Sequence, residues 1–293
     1  MQEYPDVRII LVPYDSGHPR LRMGAGPEHL LDNGIGEVLR SRERGLSFAT
    51  VHPKSDPPVE VATAFELDGL VSGQVRGALA EGEFPLVLSG NCNISVGTLA
   101  GAGPERLGIV WFDAHADFNT PETTTTGFSD GMGLAIAVGH CWEKMAEDVP
   151  GFYAVAEEDV VLVGVREVDP AEEERLAASD VAVVSAELME HGGLRVLAKA
   201  LDTLRTRVGR VYVHLDLDVL DAGKVGRANE FAPDGGLSAE ELEMALGEVR
   251  RKRFAVAAAG IASYDPAFDA DGRVLRAAFA CMRVLTSPAG PAV

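Results

Sequence analysis

The sequence predicts an α/β protein of three layers, with helices on both faces of an approximately eight-stranded parallel sheet. Short apolar runs alternate along the chain with amphipathic stretches, as such a fold requires. Several of these runs are continuously apolar, which is typical of strands that are buried on both faces of a parallel sheet. The candidate strands lie at 7–12, 48–52, 85–89, 108–112, 160–164, 181–184, 211–217 and 255–262.

The helices between these strands are predicted from apolar residues that recur every three or four positions. The segments 67–78 and 194–204 show this spacing, and 273–287 is predicted to be a last helix. The tetrapeptide at 238–241, Ser-Ala-Glu-Glu, forms a capping box that opens a further helix. No linker, repeat or low-complexity tract interrupts the alternation. We therefore expect residues 1–293 to form a single domain.

The chain is strongly acidic. Of its 293 residues, 26 are Lys or Arg and 45 are Asp or Glu, so the formal net charge is −19. Such a balance argues against nucleic acid and against an anionic membrane surface as partners, because both require clustered cations. It favours a cationic small molecule instead. Hydrophobic residues make up 46% of the chain, which is enough to bury a large core.

The cellular location is inferred from three features of the sequence. No apolar run approaches the roughly 20 residues that a transmembrane helix needs. Residues 1–6 lack the basic and apolar regions of a signal peptide. The three cysteines are odd in number and widely spaced, which is typical of a reduced chain without a disulfide framework. We therefore expect a cytoplasmic protein.

The strongest chemical signal follows the apolar run 108–112. The chain continues there as Asp113-Ala-His115-Ala-Asp117. Side chains of an extended segment alternate between its two faces, so we expect these three polar side chains to project to one side. Burial of three such groups at the end of a strand is unfavourable unless a positive charge compensates them. A metal ion would supply that charge.

A second cluster follows another apolar run, with Asp216 and Asp218 on one face and His214 one step deeper. A single Asp at a strand end is equally well explained as a turn or helix cap. Two clusters favour a ligand site, because open α/β sheets bind ligands beyond the carboxyl ends of their strands. Such an oxygen-rich set suits Mn²⁺ or Mg²⁺, and two ions can share a bridging carboxylate. A two-metal site makes hydroxide available near neutral pH.

These motifs resemble those of the ureohydrolase family, which comprises arginase, agmatinase and formiminoglutamase. The resemblance covers nearly the whole chain. It implies an arginase-like version of the three-layer fold, two Mn²⁺ ions, and hydrolysis of C–N bonds in linear amidines with release of urea or a related product. It also implies a homo-oligomer, either a trimer or a hexamer. The segments that carry it are 113–121 and 216–218, supported by 17–20, 26–27, 88–93, 164–170 and 235–237.

Carried over residue by residue, the resemblance implies six metal ligands, with Asp113 and Asp216 bridging the two ions. Cys92 stands where the family has a His, and a branch that resembles hydroxyarginine hydrolases also has Cys there. A thiolate is softer than imidazole, so Zn²⁺ or Fe²⁺ are alternatives to Mn²⁺. Equally, Cys92 can be a small buried residue with no ligand role. The implied ligands are Cys92, Asp113, His115, Asp117, Asp216 and Asp218.

The resemblance also implies substrate-binding residues. Asn119 and Thr126 match positions that contact the substrate carboxylate in arginases, and Asp169 and Glu172 match positions near its α-amino group. Phe128, however, replaces an Asn that contacts amino-acid substrates. Plain L-arginine is therefore not the expected substrate.

Two further departures concern catalysis. Asp130 stands where arginases have a His that is thought to shuttle protons, and a carboxyl group can take this role if its pKa is raised. The alternative for Asp130 is a loop cap. Ser263 stands where most members have a Glu that holds the guanidinium, and Asp265, two residues on, is the candidate replacement.

Two other functions remain open from the sequence. A related zinc deacetylase would use one zinc ion and an Asp-x-His set, although the third acid at Asp117 argues against it. A metal-binding family member without enzymatic activity is the second, because Asp130 and Ser263 depart from the pattern of active members.

Overall fold

The computed structural model describes residues 6–40, 44–55, 59–103 and 105–287. Eight of the described strands form one sheet in the order β4-β1-β5-β10-β9-β6-β7-β8, and every neighbouring pair in it is parallel. A short antiparallel hairpin joins β2 to β3. The strands are β1 Val7–Val12, β2 Tyr14–Asp15, β3 His18–Pro19, β4 Leu46–Thr50, β5 Phe84–Ser89, β6 Leu107–Phe112, β7 Val160–Val163, β8 Ala182–Val184, β9 Arg210–Asp216 and β10 Ala255–Ala262.

The helices lie against both faces of this sheet. One core joins the sheet to α1, α2, α9, α10 and α11, and two further clusters join it to α3, α4, α5 and α7. This arrangement confirms the predicted three-layer fold. The helices are α1 Gly26–Asp32, α2 Ile35–Leu39, α3 Glu60–Ala80, α4 Ser95–Gly101, α5 Gly133–Ala137, α6 Glu143–Glu147, α7 Pro170–Ala177, α8 Ala186–Gly192, α9 Leu194–Arg205, α10 Ala239–Arg251 and α11 Arg273–Thr286.

The eight predicted strands are all present, with ends that shift by at most two residues. Every residue of β5, β6 and β7 is buried, as the continuous apolar runs predicted. The predicted capping box also forms: the Glu241 backbone N–H donates to Ser238 Oγ, and the Ser238 N–H donates to the Glu241 carboxylate. Such a cap stabilises a helix by about 1 kcal/mol.

The central strands determine where the polar side chains meet. β5, β10, β9 and β6 are consecutive neighbours, and parallel strands bring their carboxyl ends to one edge. Cys92 follows β5, Ser263 follows β10, Asp216 ends β9, and Asp113 follows β6. Residues that are far apart in the sequence therefore converge at this edge.

One local expectation differs from the structure. Asp117 has a φ of 49°, so the segment after β6 turns into a left-handed conformation and is not extended to its end. Within the described ranges, no helix combines the length and the apolar character that a membrane span requires.

Candidate metal centre and substrate cavity

One group of possible ligands lies between β6 and β9. His115 Nδ1 is 3.2 Å from Asp218 Oδ2 and 3.5 Å from Asp113 Oδ1. All three side chains offer ligand atoms that lie within 4.8 Å of one another. Burial alone would raise the pKa of Asp218, but His115 and the hydrogen bonds from His115 and the Ala114 N–H lower it to about 2. Asp218 is therefore ionised, as a metal ligand must be.

A second group shares Asp113 with the first. Cys92 Sγ, a carboxylate oxygen of Asp113 and a ring nitrogen of His214 also lie within 4.8 Å of one another. Cys92 Sγ is 3.0 Å from Asp216 Oδ2. Asp113 therefore belongs to both groups of possible ligands.

The positive charge of His115 does not neutralise the whole of this acidic cluster. Burial, followed by the charge of Asp218, raises the pKa of Asp113 to about 6. Burial also raises the pKa of Asp117 and Asp216 well above the usual range, and their acidic neighbours add to the shift. The pKa of the Cys92 thiol is likewise raised, by burial and then by Asp216. A cation would reverse each of these shifts.

Asp117 supplies a further sign of a missing positive charge. Its Oδ2 atom is buried and has no hydrogen-bond partner. A buried carboxylate oxygen without a partner is costly, because the desolvation penalty is uncompensated. The left-handed backbone at Asp117 holds this residue 5% exposed beside Asp113 and Asp216, whose charges act on it. Together with the shared Asp113, this orphaned oxygen fits a divalent cation site.

Asp130 is tied to the turn that carries Cys92. Its Oδ1 accepts the backbone N–H groups of Cys92 and Asn93, at 2.5 and 3.2 Å, and its Oδ2 accepts the Asn91 amide at 2.8 Å. Burial nevertheless raises the pKa of Asp130 to about 7. Asp130 also lines the cavity described below, so it can act both as a cap of the turn and as a proton donor or acceptor.

A cavity of about 370 Å³ opens in front of the metal centre. Asn119, Thr126 and Asp169 line it, and Asn119 Nδ2 donates to Asp169 Oδ2 at 3.2 Å. Glu172 also borders it but is 3% exposed, and its carboxylate accepts the backbone N–H groups of Phe118 and Asp169. Glu172 therefore positions the wall of the cavity more than it offers a free carboxylate.

The structure does not place Asp265 in this cavity. Its Oδ1 accepts the Ala267 N–H at 2.9 Å and caps the short helix 266–268, whereas the cavity lining contains Ser263. Ser263 has a φ of 63°, and the chain turns sharply there, which directs the two side chains apart. The expectation that Asp265 replaces the missing Glu is therefore corrected.

Two other residues at the site were not singled out as functional by the sequence. Phe231 lines the cavity, and its ring lies 5.4 Å from that of Phe128. Phe231 lies in an irregular loop, where no periodic sequence pattern marks a functional residue. His214 was noted only as lying one step deeper than the acids, although its ring nitrogen belongs to the second ligand group. The alternation along β9 alone could not show that His214 reaches Cys92, which lies in the turn after β5.

The fold and the site together define a class: an α/β protein with a carboxylate-rich candidate cation centre at the carboxyl edge of its sheet. Residues 5–287 match the model of the Arginase family. The chain is 29% identical to an arginase of Bacillus caldovelox over 290 residues, which cover 94% of this chain and 96% of that one. It is 31% identical to arginase-1 of Homo sapiens over 233 residues, or 73% and 71% of the two chains.

Solved structures agree with these matches. The crystal structure of an arginase from Bacillus cereus superimposes with a TM-score of 0.86 at 26% identity, and covers 96% of this chain and 98% of that one. The chain belongs to the arginase family. This membership confirms the predicted ureohydrolase resemblance and the predicted class of enzyme, a hydrolase that acts on C–N bonds.

Proposed function

We propose that the chain hydrolyses the guanidino C–N bond of small cationic amidines in a metal-dependent reaction. The observation that carries this proposal is Asp113, a buried carboxylate shared by two groups of possible ligands. Family membership supplies the reaction class, and the acidic cavity supplies the preference for a cationic substrate.

The ions would be held at the carboxyl ends of β5, β6 and β9. Mn²⁺ suits the carboxylates, while the thiol of Cys92 leaves Zn²⁺ or Fe²⁺ as alternatives. When bound, two such ions supply Lewis-acid activation of water for attack on the amidine carbon. The proposed ligands are Cys92, Asp113, His115, Asp117, Asp216 and Asp218.

The chain's own residues contribute binding and proton transfer. Asp130 is the candidate for proton transfer, because its pKa of about 7 lets it hold or release a proton near neutral pH. Asp169 offers a carboxylate to a cationic substrate, beside the polar groups of Asn119 and Thr126. Ser263 occupies the wall nearest Cys92 and presents a hydroxyl there.

The outer part of the cavity favours a substrate with an apolar tail. Phe128 and Phe231 place two rings side by side, with centroids 5.4 Å apart. Burial of methylene groups against such rings gains about 0.8 kcal/mol for each group. An aromatic wall offers nothing to a carboxylate. We therefore propose guanidines with an aliphatic or aromatic tail over free amino acids.

The reaction is tested by incubating the Mn²⁺-loaded chain with a panel of guanidino compounds and measuring the release of urea, ammonia or amine. Asp113→Asn is expected to lower kcat/KM by roughly a thousandfold, equivalent to about 4 kcal/mol of transition-state stabilisation. Asp202→Asn, at an exposed surface pair with Lys252, is the matched control and should retain activity. Equal activity of Asp113→Asn and wild type would refute the assignment.

Three coarser proposals accompany this function. We propose that the chain is a single domain, supported by the continuous eight-stranded sheet. We propose a cytoplasmic location, supported by the three cysteines, which are unpaired. We propose a homo-oligomer, a trimer or a hexamer, by analogy with the family.

A further inference from the structure

A buried histidine, to which the function proposed above gives no role, lies behind the candidate metal centre. His214, in β9, is 1% exposed. Its Nε2 is 3.2 Å from Cys92 Sγ, and its Nδ1 is 2.9 Å from Ser95 Oγ and 3.1 Å from the Tyr212 hydroxyl. Every polar atom of the ring therefore has a partner, and the partners lie on three different elements.

The orientation of the His214 ring is fixed by packing. It stacks on the indole of Trp111, with centroids 3.8 Å apart and an interplanar angle of 25°. Trp111 is the register partner of His214 on the neighbouring strand β6. On the other neighbouring strand, a Cβ at Gly260 would come within 2.3 Å of the Tyr212 hydroxyl. The site is thus filled on both sides, and the Nε2 edge can face only Cys92.

We assign to the neutral ring the tautomer with its proton on Nε2, which this hydrogen-bond pattern accommodates. The Tyr212 hydroxyl donates to Ser95 Oγ at 3.0 Å, which leaves the Ser95 proton available for Nδ1. Nδ1 then accepts a hydrogen bond, and the single ring proton is carried by Nε2. That N–H points at the sulfur of Cys92.

We propose that His214 is a positioning residue that holds the sulfur of Cys92 in the metal centre by donating Nε2–H to Sγ. The inference rests on the proposed metal-dependent function. Without this contact, rotation about the Cα–Cβ bond of Cys92 could carry Sγ away from Asp216 Oδ2, which lies 3.0 Å from it. A hydrogen bond to one lone pair of the sulfur leaves another directed at the ion. Loss of such a supporting contact typically weakens metal binding by about 10- to 100-fold.

The pair also explains why an imidazole at position 92 would not fit this chain. Cys92 is 2% exposed, and its sulfur already contacts His214, Asp216 and the Ser263 hydroxyl, at 3.2, 3.0 and 3.4 Å. A second imidazole would have to displace the first. Cys92 and His214 therefore act as one unit.

The test uses Co²⁺ as a spectroscopic probe of the full chain. Titration of the wild type is expected to produce a sulfur-to-cobalt charge-transfer band. Cys92→Ser should abolish this band, and Cys141→Ser, which removes a thiol outside the cavity, should retain it. His214→Asn has no amide at the Nε2 position, so it should weaken the band and reduce Co²⁺ affinity by about 10-fold or more. His214→Gln places its amide nitrogen near the Nε2 position and should restore most of the band intensity and of the Co²⁺ affinity.

The possible results separate the inference from the proposed function. An unchanged band in His214→Asn, with the same thermal unfolding midpoint, would overturn the positioning role. Loss of Co²⁺ binding from both His214→Asn and His214→Gln, while both variants remain folded, would make His214 a direct ligand and also overturn it. Co²⁺ binding by the wild type without a sulfur band would overturn the inference but leave the hydrolase proposal intact. No Co²⁺ binding at all would contradict the proposed function itself.

His191→Gln, at an exposed position on α8, is the control for the substitutions of His214. It should change neither the band nor the Co²⁺ affinity.

Discussion

At the scale of single residues, the departures from the family pattern occupy one continuous surface. Cys92 Sγ and Ser263 Oγ lie 3.4 Å apart at the inner end of the cavity, and the Asp130 carboxylate accepts the backbone N–H of Cys92. Phe128 lies at the outer end. The departures therefore affect both the metal centre and the recognition of the substrate tail.

Substitution of Phe128 tests the substrate preference. Phe128→Asn removes one ring of the aromatic wall and adds an amide that can donate to a carboxylate. We expect KM to fall about 10-fold for guanidino substrates with an α-amino-acid head, because a hydrogen bond to a charged carboxylate contributes about 1.5 kcal/mol. KM for apolar-tailed guanidines should rise. Phe268→Asn, at an exposed Phe outside the cavity, is the control. If KM changed in the same direction for both substrate types, the aromatic wall would not determine the substrate preference.

Part of the candidate site could be predicted from spacing alone. The alternating acids at 113–117 and 216–218 follow two buried strands, so their convergence followed from the topology of a parallel sheet. The failure of Asp265 had a local cause, because the positive φ at Ser263 breaks the alternation that the expectation assumed. The link between His214 and Cys92 joins residues that are 122 positions apart in the sequence, and no local pattern encodes such a contact.

At the scale of elements, the strands were easier to predict than the loops. β5, β6 and β7 are buried throughout, so a continuous apolar run predicts each strand whatever side chains pack against it. The candidate substrate-binding residues Asn119 and Thr126 lie on the irregular segment between β6 and α5, where hydrogen bonds decide the conformation. Thr123, for example, accepts the Thr120 N–H at 2.8 Å and donates to Asn119 Oδ1 at 2.9 Å. No periodic pattern marks such a segment.

The capping of α7 connects an element to the site. Asp169 and Glu172 form a capping box at its start, and Glu172 also accepts the Phe118 N–H at 2.7 Å. The helix and the segment after β6 are therefore held together by one buried carboxylate. The resemblance implies that Glu172 lies near the substrate, but its carboxylate binds backbone N–H groups of the cavity wall instead. A match in the sequence alone cannot distinguish these two roles.

At the scale of the whole molecule, stability should depend on pH and on metal together. Burial raises the pKa of Asp113 to about 6 and that of Asp130 to about 7. These groups bind protons on folding, so the ion-free protein should lose stability as the pH rises from about 4 through these values. The opposing carboxyl, Asp218, has a pKa of about 2 and stays ionised throughout this range.

Divalent ions should offset that loss, because they compensate the ionised carboxylates. Thermal unfolding is expected to show a larger stabilisation by Mn²⁺ at about pH 8 than at about pH 5. Each kcal/mol added to the free energy of unfolding raises Tm by about 2–4 °C in domains of 150–250 residues. Asp130→Asn should reduce the pH dependence of the ion-free protein. A metal-free protein that is more stable at the higher pH would contradict the electrostatic account.

The central claim is that Asp113 joins two divalent cations in one centre, and the most direct test is to count the ions. The purified chain is saturated with Mn²⁺ under reducing conditions, freed of excess metal, and analysed for metal per chain together with Asp113→Asn and Asp202→Asn. The account predicts two ions per chain for the wild type and for Asp202→Asn, and fewer than two for Asp113→Asn. A single tightly bound ion in the wild type, or two ions retained by Asp113→Asn, would contradict it.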